Sequence, residues 1–70
     1  MEKKIYVVFH KPMNGEWYVL DCWLDKRGAV KRAVDYLLNH DGYVRVECDG
    51  RTIYSTDTGR LKSDEFFVFF

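Results

Sequence analysis

Only one stretch of this 70-residue chain, Asp25 to Asn39, carries the period of a helix, yet five Tyr, five Phe and two Trp are spread along it. A sheet covered by a single helix hides only one of its faces. The remaining aromatics must then meet water or a partner, and monomers rarely expose large contiguous apolar patches unless something binds there. The pattern predicts a protein that works by contact.

Ile5-Tyr-Val-Val-Phe-His10 is β-branched and aromatic throughout, a first strand. Lys11-Pro-Met-Asn-Gly15 supplies the turn residues of a hairpin loop. Glu16 to Leu24 reads as the second strand, with Tyr18, Leu20, Cys22 and Leu24 on one side and Trp17, Val19, Asp21 and Trp23 on the other. Only Asp21 interrupts its apolar character. Asp25 is a good N-cap, because its carboxylate can accept a free backbone N–H of the first turn. Val30, Ala33, Val34, Leu37 and Leu38 form the expected core stripe of the helix, with Arg27, Lys31, Arg32 and Asp35 opposite. Asn39-His-Asp-Gly42 stops it, Gly42 lying near the C-terminal cap.

Tyr43 to Cys48 and Arg51 to Thr56 flank Asp49-Gly50, the strongest short hairpin signal. A two-residue loop predicts Cys48 opposite Arg51, Val46 opposite Ile53 and Val44 opposite Ser55 on the core face. Arg45 then faces Tyr54 on the other side. Asp57-Thr-Gly59 reads as a turn, residues 60–64 as a polar connector, and Glu65 to Phe70 as a fifth strand. The expected fold is a single α+β domain over residues 1–70, a two-layer sandwich of order ββαβββ. One helix packs on a curled, mostly antiparallel sheet of four to five strands.

Composition bounds the function. Hydrophobic residues make up 47% of the chain and charged ones 31%, which is globular rather than disordered. Eleven Lys and Arg balance eleven Asp and Glu. A general nucleic-acid binder should be clearly basic and an acidic mimic of nucleic acid clearly negative, so both readings lose ground, although a local patch remains open. The run Ile5 to Phe9 is too short for a signal peptide or a membrane span. Cys22 and Cys48 are no disulfide framework; they read as reduced, buried thiols of a cytoplasmic protein.

Chemistry finds little footing. Cys22, Cys48, Ser55, Ser63, His10 and His40 show no spacing that pairs a nucleophile with a base, and no metal-ligand spacing either. The chain reads as a non-enzyme without cofactor or metal. Arg27, Lys31 and Arg32 gather in the first half of the helix, where cations oppose the macrodipole, so they are candidates for contact with an anionic or carboxylate-rich partner. If Tyr18, Leu20 and Cys22 face the helix, then Tyr6, Val8, Trp17, Val19, Trp23 and Tyr54 share the far face of the sheet. Trp and Tyr dominate interface hot spots, so Trp17, Trp23 and Tyr54 are the candidate anchors. Phe66 to Phe70 contains no polar side chain and needs cover on both sides, which predicts a place in the sheet or in a homodimer contact.

Ala29-Val-Lys-Arg-Ala33, followed by Gly42-Tyr-Val-Arg-Val-Glu47, Asp49-Gly50 and Tyr54, resembles the small phage-encoded anti-CRISPR inhibitors of ββαββ type. The resemblance covers residues 29–54. It implies a non-enzymatic blocker of a host-defence ribonucleoprotein complex, active in the host cytoplasm through basic and aromatic surface residues. Two other readings stand beside it: a small single-stranded nucleic-acid binder with bases stacked on sheet aromatics, and a homodimeric structural adaptor joined through Phe66–Phe70.

Overall fold

The computed structural model describes residues 3–61, which form a four-stranded antiparallel sheet with one long helix on one face. The strands are β1 (Tyr6–Lys11), β2 (Tyr18–Trp23), β3 (Tyr43–Cys48) and β4 (Arg51–Asp57), in spatial order β2-β1-β3-β4. Helix α1 (Lys26–Asn39) lies across β1 and β3, the two central strands. The α+β sandwich therefore stands, with the order ββαββ in the described residues; the expected strand at Glu65–Phe70 lies outside them. Where a turn and connector were expected, Thr58–Leu61 forms a single helical turn, α2, against α1 and β4.

The punctuation residues behave as their chemistry requires. Asp25 caps α1, its Oδ2 accepting from the Gly28 amide at 2.7 Å. Asp49 and Gly50 take φ of 55° and 77°, the left-handed pair that a tight hairpin between β3 and β4 demands. Gly42 has φ of 125°, and a Cβ there would lie 2.1 Å from the Lys11 carbonyl oxygen, so only glycine fits. Thr58 ties this corner down: its backbone N–H donates to the Gly42 carbonyl and its hydroxyl accepts from the Gly42 amide.

The core is thin and built from small residues. Val8, Val44 and Val46 from the sheet meet Ala29, Val30, Ala33, Val34 and Leu37 from α1. The helical stripe thus sits slightly to one side of the expected one: Ala29 joins it, while Leu38 is 62% exposed. Cys48 is buried as expected, but Cys22 is exposed, because it pairs with Val7 on the side of the sheet away from α1.

Two β-bulges overturn the expected faces. In β2 the pairing with β1 slips, so that Val8 faces Asp21 while Phe9 faces Val19, leaving Leu20 as the extra residue. A bulge puts two residues of one strand opposite one of its partner, and the alternation changes phase there. Val19 stays outside, and Leu20 packs against the core. Asp21 and Trp23 now turn to the helix side instead of the outer face. The second bulge, at Ile53, leaves Val46 opposite Tyr54 rather than Ile53, and Arg45 opposite Ser55. Tyr54 is therefore a core residue, 5% exposed. Val8 and Tyr6 also belong to the helix side.

Candidate interaction surface

Among the described residues no element covers the face of the sheet opposite α1. Because Val8, His10, Val44 and Val46 point inward, strand alternation turns Val7, Phe9, Lys11, Tyr43, Arg45 and Glu47 outward. Trp17, Val19 and Cys22 come to the same face from the β2 side, as the pairs Val7–Cys22 and Phe9–Val19 require. Its β2–β1 half is apolar and its β3–β4 half polar. Val19 is 52% exposed, Tyr43 39% and Trp17 38%.

Cations stack on the aromatics of this face. The Arg45 guanidinium lies between two rings, its Cζ 4.4 Å from the centroid of Phe9 and 4.3 Å from that of Trp17. Its Nε is 2.7 Å from Glu47 Oε2, an ion pair between residues i and i+2 on the same side of the strand. Lys11 Nζ sits 5.4 Å from the Tyr43 ring centroid. These contacts hold the rings in place before anything binds, so less side-chain freedom is left to lose on association. From Trp17 a shallow groove of about 430 Å³ runs past Tyr43 to Ser55 and Asp57.

The other sequence candidates scatter. Trp23 packs back over the first turn of α1, where a Cβ on Gly28 would lie 2.7 Å from its Cε3. Its Nε1 donates to Asp21 Oδ1 at 2.8 Å. Arg32 Nε donates to the other Asp21 oxygen at 2.8 Å, and its guanidinium lies over Tyr36, so Arg32 is engaged within the fold. Arg27 and Lys31 are exposed on α1, on the far side of the molecule from Trp17. Of the expected anchors, only Trp17 lies on the open face.

A second constellation escaped sequence reasoning. His10, 3% exposed, bonds through Nε2 to the Asp41 carbonyl at 3.1 Å and through Nδ1 to the Tyr18 hydroxyl at 3.0 Å. A carbonyl only accepts, so Nε2 carries a proton and donates it to Asp41, while the Tyr18 hydroxyl, able to donate or accept, meets Nδ1. The Tyr36 hydroxyl completes the chain, 2.9 Å from that of Tyr18. The Tyr36 hydrogen bond pushes the Tyr18 phenol above its ordinary value, with burial acting in the same direction and Arg32 opposing it. Both imidazole nitrogens are occupied inside the fold, so the chain rigidifies the sheet–helix junction rather than presenting a base. Tyr36 also stacks on His40 at 4.0 Å, the planes 6° apart.

Among the described residues no group of three or more His, Cys, Asp or Glu is placed to hold a metal ion. No helix among them is long and apolar enough to cross a membrane. No family model matches the chain, and neither a curated protein nor a solved structure does. The fold and surface define a class only: a small α+β sandwich with an aromatic and cationic sheet face that no described element covers.

Proposed function

We propose that this protein is a non-enzymatic interaction module that binds a protein or ribonucleoprotein partner through the outer face of its sheet. The observation that carries the reading is the set Trp17, Val19, Phe9 and Tyr43, held on one face by Arg45 and Lys11 with no described layer over it. Centrally placed Trp, Tyr and Arg groups are what interface hot spots are made of. The resemblance over residues 29–54 makes a CRISPR surveillance complex the first partner to test, with the protein acting as a phage or mobile-element blocker. The test is binding of purified surveillance complexes by surface plasmon resonance, with Trp17→Ala plus Tyr43→Ala as the variant. The double variant should keep its circular dichroism spectrum and lose at least about 30-fold in affinity, a loss of about 2 kcal/mol. Unchanged affinity would remove the sheet face from the interface.

The single-stranded nucleic-acid reading draws on Lys11 and Arg45 beside aromatic rings on the central strands. It ranks second, because Glu47 already neutralises Arg45. A phosphate-tracking strand would bind with steep salt dependence, whereas an apolar protein contact would change little between low and moderate salt.

A further inference from the structure

Zero net charge conceals an uneven distribution. Lys3, Lys4, Lys26, Arg27 and Arg51 lie at the end of the sandwich formed by the start of β1, the start of α1 and the β3–β4 hairpin, against Asp25 and Asp49. Three of these cations, Lys4 from the segment before β1, Lys26 from α1 and Arg51 from β4, line one cavity of about 220 Å³. Its remaining walls are Tyr6, Cys48 and Ile53, with Asp49 the single carboxylate. The β4 bulge that inserts Ile53 helps shape this wall. Three other cations are engaged, Arg32 with Asp21, Arg45 with Glu47 and Lys11 over Tyr43, while Arg27 and Lys31 stand exposed on α1. Among the described residues, Lys4, Lys26 and Arg51 have no such partner.

We infer that this cavity binds the phosphate group of a nucleotide. Like charges sharing a small concave site repel one another, and an anion with two negative charges relieves that repulsion while collecting several charge-assisted hydrogen bonds. Lys presents a point charge and Arg a planar fork, the two donor types that hold phosphate oxygens. Tyr6 and Ile53 add apolar residues to the wall that a bare inorganic ion would leave unused. That favours an organic ester whose phosphate enters first. A cavity of this volume falls below the ~300–1,000 Å³ of a whole small-ligand site, so it takes the phosphate end and leaves the rest of the nucleotide outside. The source is a free mononucleotide or the terminal phosphate of a strand.

The experiment is a heteronuclear NMR titration of the full chain at low salt with AMP, adenosine, inorganic phosphate, and a short oligonucleotide with and without a 5′-phosphate. AMP should shift the amides of Tyr6, Cys48, Arg51 and Ile53, and adenosine should not. Inorganic phosphate should bind several-fold more weakly than AMP. Tighter binding of the 5′-phosphorylated oligonucleotide than of AMP identifies the strand terminus as the source, and the reverse order identifies the free nucleotide. Lys26→Gln plus Arg51→Gln should weaken AMP at least tenfold. Lys4→Gln, in the segment before β1, should weaken it severalfold with no structural change. Absence of shifts at these four amides at millimolar AMP, equal shifts with adenosine, or an affinity indifferent to all three substitutions would overturn the site. These residues are distinct from Trp17 and Tyr43, so this site and the outer sheet face succeed or fail separately.

Discussion

At the scale of single residues, two contacts make sharp demands. Replacing a helical glycine by alanine ordinarily stabilises by about 1 kcal/mol, but at Gly28 the new methyl would press on the Trp23 ring. Gly28→Ala should therefore fail to raise the melting temperature in the wild-type background and should raise it in Trp23→Ala, a coupling that thermal melts of the four-member cycle would measure. The Tyr18 phenol supplies a pH prediction. Its folded pKa is raised above the ordinary 10.0 by the Tyr36 hydrogen bond, so the fold prefers the protonated form. That preference contributes its full stability below pH 10 and loses it as pH rises through the folded value. Above pH 10, wild-type stability should fall more steeply than that of Tyr18→Phe, which urea unfolding at stepped pH would show.

At the scale of elements, α1 begins with cations and has no acid in its first turn. Arg27→Glu with Lys31→Glu exchanges one like-charge i, i+4 pair for another, so the net change comes from placing an acid near the positive end of the helix dipole. Stability should hold or rise by up to about 1 kcal/mol in denaturant unfolding. Partner affinity should also hold, since both residues lie away from the outer sheet face; a drop would show that the partner reaches around to the helix. The strands teach a different lesson. Simple alternation predicts that Trp17 and Trp23, six residues apart, share a face, and the bulge at Leu20 separates them. Nothing in Trp17 to Trp23 marks the bulge, because both sides of that strand are apolar and either phase buries well.

At the scale of the whole molecule, the core is narrow enough that one large side chain matters. Leu37, 3% exposed, joins a cluster made mostly of Val and Ala. Leu37→Ala should cost about 2–5 kcal/mol, much of the roughly 4–10 kcal/mol total expected for a domain of this size. Urea unfolding should show the midpoint falling to about half of the wild-type value. The α+β class, the Asp25 cap, the span of α1 and the Asp49-Gly50 hairpin were all legible in the chain, because caps, tight turns and helical periodicity depend on residues a few positions apart. Reading Val44, Val46 and Cys48 as the inward set of β3 already turns Tyr43 and Arg45 outward, whereas placing Phe9 beside them requires the pairing of β1 with β3. Other features depend on which strand neighbours which and on where a register slips. They include the inward Tyr54, the Arg45 sandwich, the His10–Tyr18–Tyr36 chain and the convergence of Lys4, Lys26 and Arg51. Those choices are made by packing between segments far apart in sequence, where several registers bury similar apolar area, and only the assembled sheet and helix select one.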